Sequence, residues 1–505
     1  MPNMSPLRVV PFLFLLALNA HAALHITPQP ARFPDADGTV PVRLYITNPI
    51  GDYALNLQVR YFDATVTPLG DTTSVNPVDW NCSRDGGLVT CNFRNVLGAD
   101  VTALLDLHVH FDQPYARRDL TVIASATVDG TVEQTSVTTS AALYKRFIVT
   151  QPGDTGDGSL RAAVEALDAD PQCASVPCSI DFELEARSIA LQSPLPRIVG
   201  RDVLVDDTSG RAGLITLDGT AVAGNALDFD GNERAEVGGL RIANFGDNAV
   251  LLRPRLTPSR LTVAGCTIEH NFRGINVAAG RLDQSLIRNN TLRDNVRTAI
   301  FDGSLGTGGA NVPPLRIEGN TISGNGASGI YFAPGCDGAL ITGNRIESNH
   351  DFGIAVARSA VNVRILPNTI AHNGGAAIDV GLDGPTPLRP DNPALNAAVI
   401  ESARFDEATQ TTIITGKPSV APIGICDLCF THIVSLYAND TAEHGEYSEA
   451  QQYLGDAQPG GSGFVFTFKG NLIGKYITAL STSWVNGLGS DYFNTTELSK
   501  AVLVR

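Results

Sequence analysis

Short aliphatic strands return along the middle of the chain at an almost constant spacing, and this repeat constrains the fold more than any other feature. The spacing is mostly 24 residues, with one step of 30. Three columns recur, which are Val263, Ile287, Ile317, Ile341 and Ile365; Ile268, Leu292, Ile322, Ile346 and Ile370; and Ile275, Ile300, Ile330, Ile354 and Ile378. A fixed period in the twenties with short strands is typical of a solenoid. Three strands per coil predict a parallel β-helix in which each coil adds about 4.8 Å of length.

The segment that precedes the repeat carries a family resemblance. Residues 153–167, GDTGDGSLRAAVEAL, resemble the opening of secreted bacterial right-handed parallel β-helix proteins, in the pectate-lyase-like superfamily. In those proteins this segment forms a small helical cap over the first coil. The resemblance covers residues 146–390 and implies a right-handed parallel β-helix. Many proteins of this fold cleave or epimerise acidic polysaccharides in a groove along one sheet, so it also implies a polysaccharide partner.

The flanking segments alternate between apolar and polar residues as short strands do. Residues 23–145 resemble the Ig-like repeat domains of bacterial surface proteins, and residues 391–505 resemble the β-sandwich that often follows this kind of β-helix. The sequence therefore predicts an all-β protein, with a β-helix of about 24-residue coils at residues 146–390 between two β-sandwich domains. Residues 1–22 have the layout of a secretory signal peptide, with one charge at Arg8, an apolar run and a small-residue cleavage site.

Asparagines recur between the predicted strands in two further columns. They are Asn290, Asn320, Asn344 and Asn368, and Asn271, Asn295, Asn325, Asn349 and Asn373. Each stands at a corner, where the backbone turns and leaves amide groups unpaired. An inward asparagine can bond the corner backbone and the asparagine of the next coil, so we interpret both columns as structural ladders rather than ligand sites. Cys266 occupies the first column and is expected to be a buried thiol.

Cysteine usage agrees with an exported protein. Three local pairs are expected as short-loop disulfides, namely Cys82–Cys91, Cys173–Cys178 and Cys426–Cys429, whereas Cys266 and Cys336 are expected to be free. A zinc site at Cys426 and Cys429 is the alternative, but no second Cys pair or nearby His pair completes it. We expect secretion to the extracellular space or the periplasm, no membrane span and a monomer.

Charge excludes one class of partner. The formal net charge is −16 at pH 7, and a chain this acidic repels phosphate backbones, so nucleic acid is not an expected partner. No P-loop, GxSxG elbow or HExxH motif occurs either.

One outward row of the third predicted strand contains the expected ligand-binding residues, which are Asn276, Phe301, Tyr331 and Asp379. Phe301 and Tyr331 fall on neighbouring coils, where two rings suit a sugar or the apolar patch of another protein. The alternative is that the inserted loop at residues 303–314 covers them. The row lacks the carboxylate cluster and the basic residue that a pectate-lyase-like mechanism requires. We therefore expect no metal and no cofactor, because calcium has no carboxylate cluster to bind it.

A second surface carries the most reactive side chains. His350 and Asp351 stand at one corner, and Arg297 stands near the equivalent corner two coils earlier. These three are the candidate catalytic residues of a lyase or epimerase. Two hypotheses follow from the sequence. The preferred one is a non-enzymatic exported rod that presents a surface for glycan binding or adhesion, and the alternative is a polysaccharide-active enzyme at this corner.

Overall fold

The structure is a computed structural model that divides into two compact units, residues 1–143 and 144–505. It describes residues 25–30, 39–48, 53–60, 65–68, 80–85, 87–97, 101–111, 113, 115–128, 131–207, 213–255, 258–305, 314–384, 397–418, 430–442, 449–459, 463–485 and 492–505. The predicted signal peptide at residues 1–22 and the predicted Cys426–Cys429 disulfide lie outside the described residues.

The first unit consists of two antiparallel sheets around one apolar core. The four-stranded sheet contains, in spatial order, His25–Pro30, Thr39–Asn48, Val101–His110 and Thr65–Pro68. The five-stranded sheet contains Trp80–Asp85, Leu88–Leu97, Tyr53–Arg60, Ala116–Val128 and Thr131–Leu143. Alternation places side chains such as Val42, Leu44 and Leu107 fully in the core.

A disulfide closes the hairpin at one edge of the first unit. Cys82 and Cys91 stand directly opposite each other on adjacent strands and are bonded. Beside them Trp80 packs edge-on against Phe93, with ring centroids 5.0 Å apart. The indole Nε1 of Trp80 donates to the backbone oxygen of Leu104 at 2.8 Å, so this large side chain is buried with its polar atom paired.

The second unit begins with a right-handed parallel β-helix built from three parallel sheets. The first sheet has nine strands, which are Lys145–Val149, Pro177–Phe182, Asp202–Asp206, Arg234–Gly238, Arg260–Ala264, Ser285–Arg288, Leu315–Glu318, Asp337–Thr342 and Val361–Ile365. The second has eight, which are Ser188–Ala190, Ile215–Asp218, Leu240–Ala243, Thr267–Glu269, Thr291–Arg293, Thr321–Ser323, Arg345–Glu347 and Thr369–Ala371. The third has seven, which are Leu227–Asp230, Asn248–Arg253, Arg273–Val277, Ile300–Asp302, Ile330–Phe332, Ile354–Ala357 and Ile378–Gly381.

Strand register confirms the three aliphatic columns predicted from the sequence. Val263, Ile287 and Ile317 are direct partners in the first sheet, and the corresponding columns pair in the other two. The first column also extends backwards through earlier coils to Phe147, where the sequence repeat is too degenerate to recognise. These side chains fill one continuous interior that runs the length of the solenoid.

A short helix covers the first coil. Leu160–Ala169 begins at Ser159, whose Oγ accepts a hydrogen bond from the Ala162 amide at 3.1 Å, and it buries Leu160, Val164 and Leu167 against the solenoid interior. The 3₁₀ turn Pro171–Ala174 follows, and the Cys173–Cys178 disulfide ties that turn to the first sheet. Among the described residues, no helix has the length and apolarity needed to cross a membrane.

At two corners of the solenoid the asparagines form continuous hydrogen-bonded columns. Asn325 Oδ1 accepts from the backbone N–H of Asn295 at 3.1 Å and from its Nδ2 at 2.9 Å. Asn325 Nδ2 in turn donates to Asn349 Oδ1 at 2.8 Å, and to the backbone oxygen of Leu292 at 3.2 Å. The other members of both columns repeat this pattern, and all are at most 3 % exposed. Each asparagine side chain therefore forms hydrogen bonds with the backbone groups at the corner that the β-strands do not pair.

The C-terminal part of the second unit covers the last coil. Its three-stranded sheet contains Val399–Asp406, Thr411–Lys417 and Phe464–Lys469. Its five-stranded sheet contains Gln452–Ala457, Phe430–Asn439, Tyr476–Val485, Tyr492–Leu498 and Val502–Leu503, the last of which pairs with Tyr476–Val485. Both sheets are antiparallel, as predicted for this end of the chain.

Polar groups at the open end of the solenoid find partners in these C-terminal sheets. The Ile365 amide donates to Thr495 Oγ1 at 2.9 Å, and Ile370 exchanges two backbone hydrogen bonds with Ala450 at 2.8 and 2.9 Å. The backbone N–H of Asn368, which has no further asparagine above it, donates to the Tyr437 hydroxyl. The C-terminal sheets thus terminate the solenoid by pairing the groups that a further coil would have paired.

Asp302 interrupts the aliphatic interior. It is in register with the buried side chains of Val277 and Phe332 and is itself 1 % exposed. Its Oδ1 accepts from the Ser304 amide at 2.9 Å, and the Cys336 thiol donates to its backbone oxygen at 3.0 Å. Burial raises the pKa of Asp302 to about 6, and burial together with the nearby Asp302 carboxylate raises the pKa of Cys336.

Removing one rung of the ladder is expected to destabilise the fold. Asn325→Ala leaves the Asn295 amide and the Leu292 carbonyl buried without partners, so the free energy of unfolding should fall by about 1–3 kcal/mol. Chemical denaturation measures the change, with the exposed Arg345→Ala variant in the next coil as control. An unchanged free energy of unfolding in Asn325→Ala would contradict a stabilising role of the asparagine ladder.

Asp302 makes stability depend on pH. Because its carboxyl binds a proton more tightly in the folded than in the unfolded chain, stability should fall as pH rises from about 4 to about 6, by about 3 kcal/mol. Asp302→Asn keeps the acceptor for Ser304 and should be more stable than the natural chain at about pH 7, but not at about pH 3.5. Denaturation at both pH values tests this, with the exposed Asp351→Asn as control. Equal pH dependence in Asp302→Asn and the natural chain would contradict the assignment.

Candidate functional site

The outward face of the third sheet presents one row of residues from seven successive strands. In register they are Asp228, Leu251, Asn276, Phe301, Tyr331, Ala355 and Asp379. The four residues expected from the sequence, Asn276, Phe301, Tyr331 and Asp379, belong to this row, and Asp228 is a further carboxylate in it. Exposure changes along the row, because Asn276, Phe301 and Tyr331 are half-buried whereas Ala355 and Asp379 are fully buried. Only the middle of the row is open to a ligand.

Two aromatic rings are stacked in this open part. The ring centroids of Phe301 and Tyr331 are 5.4 Å apart and their planes differ by 8°. Both rings stand on paired strands of a rigid sheet, so their parallel arrangement follows from the spacing of neighbouring coils. Of the loop that could cover them, residues 306–313 lie outside the described part of the chain.

Two guanidinium groups lie against the aromatic side chains. The Cζ of Arg273 is 5.3 Å from the ring centroid of Phe301 and 5.6 Å from that of Phe272, and the Cζ of Arg297 is 5.7 Å from the Phe272 ring. These contacts are cation–π geometry. We call Phe272, Arg273, Arg297, Phe301 and Tyr331 the aromatic–arginine patch.

Neither arginine of the patch is neutralised. Within the described part of the chain, no carboxylate lies within 4.0 Å of Arg273 or Arg297, although most arginines on the neighbouring coils are paired with Asp or Glu. The Nε of Arg273 is in addition buried without a hydrogen-bond partner. The patch is therefore a local positive surface on a protein whose formal net charge is −16.

Asn276 connects the patch to a chain of polar side chains. Its Nδ2 donates to Asn248 Oδ1 at 2.9 Å, the Asn248 Nδ2 donates to Asn225 Oδ1 at 2.8 Å, and the Asn225 Nδ2 donates to Asp228 Oδ2 at 3.1 Å. The Oδ1 of Asn276 is buried without a hydrogen-bond partner. The polar chain spans the coils between Asp228 and the stacked rings, a rise of about 14 Å.

A charged cluster surrounds Asp228 and Asp230 on the first strand of the same sheet. Arg253 binds Asp228 with two hydrogen bonds, of 2.8 and 3.1 Å, and Arg255 and Arg197 both lie 3.2 Å from Asp230. The sequence comparison missed this cluster because Leu227–Asp230 precedes the first recognisable repeat. Each of its three arginines is paired with an aspartate, unlike the arginines of the patch.

The candidate catalytic residues are only partly brought together. His350 Nδ1 lies 3.1 Å from Asp351 Oδ1, and the two side chains are 79 % and 48 % exposed. Arg297 stands at the same corner two coils earlier, about 10 Å away along the solenoid, and contacts Phe272 instead. Sequence reasoning had placed Arg297 with the His–Asp pair; the structure places it in the patch.

Asp379 is buried beneath the C-terminal sheets and is not part of the exposed face. One oxygen from each of Asp379, Asp383 and Glu497 lies within 4.8 Å of the others, so three carboxylates meet here. No sequence pattern indicates this cluster, because Glu497 belongs to the strand Tyr492–Leu498 and follows no coil spacing. The expectation of no metal concerned the outward row of the third sheet, and it stays a prediction.

Comparison with known proteins agrees with the fold. Residues 225–389 match the family model described as a right handed beta helix region. A solved structure, the non-cellulosomal cohesin from the hyperthermophilic archaeon Archaeoglobus fulgidus, is similar over 24 % of this chain and 91 % of its own, at 14 % identity and a TM-score of 0.19. That TM-score is too low to support an argument. No curated protein matches the chain. The β-helix is consistent with a carbohydrate-binding or polysaccharide-active protein.

Proposed function

We propose that this protein binds an acidic polysaccharide at the aromatic–arginine patch. The observation that carries the proposal is the presence of two guanidinium groups, without carboxylate partners among the described residues, beside a stacked, half-exposed pair of rings. Sugar rings have apolar C–H faces that pack on aromatic side chains, and a guanidinium binds a carboxylate with two parallel hydrogen bonds. A uronate-containing chain offers both groups in every residue.

The net negative charge of the protein does not prevent an acidic ligand from binding at the patch. The whole protein carries a net charge of −16 and repels anions at long range, but at physiological ionic strength such repulsion is screened beyond about 8 Å. Binding then depends on contacts at the patch itself. Arg273 and Arg297 supply those contacts, because they bring positive charge that no carboxylate in the described part of the chain cancels.

The proposed setting is outside the cytoplasm. The Cys82–Cys91 and Cys173–Cys178 disulfides are consistent with an oxidising compartment. We infer that residues 1–22 are removed as a signal peptide and that the mature chain acts in the periplasm or the extracellular space as a monomer. The rigid β-helix would then present the patch to a cell-surface or matrix glycan.

The aromatic rings should contribute directly to affinity. We expect Tyr331→Ala and Phe301→Ala each to weaken binding of polygalacturonate or alginate about tenfold, which corresponds to about 1.4 kcal/mol, because each variant removes one stacking surface. Isothermal titration with the full chain measures this change. Tyr453→Ala is the matched control, since that ring is 39 % exposed and lies in the C-terminal sheets, away from the patch. Equal affinity in all three variants would contradict the proposal.

The arginines should determine the preference for acidic sugars. We expect Arg273→Gln and Arg297→Gln to weaken binding to polygalacturonate about tenfold each, and to leave binding to its carboxyl-reduced, neutral counterpart unchanged. The control is Arg345→Gln, an exposed arginine on the second sheet that pairs with Glu347 at 2.7 Å. An equal loss of affinity for the acidic and the neutral polymer would show that the arginines do not recognise the carboxylates of the ligand.

The alternative function is a lyase or epimerase at the corner of His350 and Asp351, and it is favoured by their 3.1 Å contact. The same titrations distinguish the two functions when ultraviolet absorbance of unsaturated sugar products is followed. Binding without growth of absorbance supports the proposal. Absorbance that grows with time and disappears in His350→Ala would replace the proposal with a lyase.

A further inference from the structure

We propose that Asp379, Asp383 and Glu497 bind a calcium ion that ties the last coil of the β-helix to the C-terminal sheets. The three residues come from distant parts of the sequence. Asp379 lies on Ile378–Gly381, the last strand of the third sheet, Asp383 lies in the turn that follows, and Glu497 lies on Tyr492–Leu498. One oxygen of each lies within 4.8 Å of the others.

An unpaired buried oxygen points to a ligand at this place. Asp379 is 0 % exposed, and the backbone N–H groups of Gly384, Leu382 and Asp383 lie near its carboxylate. Its Oδ2 accepts from the Gly384 amide at 3.1 Å, but its Oδ1 has no hydrogen-bond partner among the described residues. A buried carboxylate oxygen without a partner is costly, because it has lost its water and gained nothing in exchange. A cation bound to Oδ1 would supply the missing interaction.

Backbone amides hold the buried carboxylates in place, and no described cation pairs with Asp379. Glu497 is 4 % exposed, and its Oε1 accepts from the Val380 amide at 3.1 Å. Arg358 approaches from the solvent side, is 70 % exposed and lies 3.2 Å from Asp383 rather than from Asp379. The backbone donors thus hold two buried carboxylates close together, and a cation between them would relieve their mutual repulsion.

The ligand set and the spacing favour calcium. All three donors are carboxylate oxygens, which suit hard cations and do not suit zinc, which prefers nitrogen or sulfur. Two oxygens bound to one calcium at about 2.4 Å can be up to about 4.8 Å apart, whereas magnesium at about 2.1 Å requires tighter, octahedral packing. The exposed Asp383 leaves room for water ligands to complete the larger coordination shell.

The experiment measures calcium binding and melting of the full chain. We expect CaCl₂ in excess over a chelator to raise the melting temperature by about 3 °C or more, and calorimetric titration to show one site. Asp379→Asn, nearly identical in shape, should abolish the calcium-induced shift. In chelator it should melt no lower than the natural chain, because it removes a buried charge. Glu497→Gln should behave in the same way, and the exposed Asp351→Asn should keep the full shift.

Four outcomes in added metal salt would overturn the assignment. They are an unchanged melting temperature in calcium, an equal shift produced by MgCl₂, a calcium shift retained in Asp379→Asn, and loss of the shift in Asp351→Asn. A lower melting temperature of Asp379→Asn in chelator would show that the carboxylate serves a structural hydrogen bond and not a metal. None of these outcomes depends on polysaccharide binding.

Discussion

The corners of the coils impose the constraint on which the rest of the solenoid depends. Along a strand, every amide pairs with the strand above and below, but where the chain turns this pairing stops and buried amides are left over. Asparagine solves the problem with one side chain, because its amide donates and accepts at the same time. Asn290, for example, donates to the Val263 and Asn320 oxygens and also accepts from the Cys266 amide. The repeat is thus a consequence of hydrogen bonding as much as of aliphatic packing.

The same requirement explains the two ends. A column of asparagines must start and stop, and the groups at its ends need different partners. At the start of the second column the Phe245 amide donates to Asn271, and at the end of the first column Tyr437 takes the place of the missing asparagine. The helix Leu160–Ala169 instead covers the apolar core at the first coil, and the C-terminal sheets share that core at the last coil.

The features that repeat with the coil period could be predicted from the sequence, and the features without that period could not. The three aliphatic columns follow from spacing alone, because a parallel register repeats each inward position on every coil. Arg273 was missed because its importance depends on which rings it covers and on the absence of a neighbouring acid, neither of which has a sequence period. Glu497 was missed because it meets Asp379 only after the C-terminal sheets have folded onto the last coil. Asp228 was missed because the coil that carries it has lost the repeat.

Each coil contacts only its two neighbours, so the length of the solenoid can change in steps of one coil. Both ends are fixed by groups that recognise only the first or the last coil, and neither end is sensitive to the number of coils between them. Insertion or deletion of one 24-residue coil after Tyr331 would therefore move the stacked rings relative to the C-terminal sheets by a single step of about 4.8 Å, and leave the partners at both ends in place. Evolution can change the reach of such a protein in whole steps, without redesigning its ends.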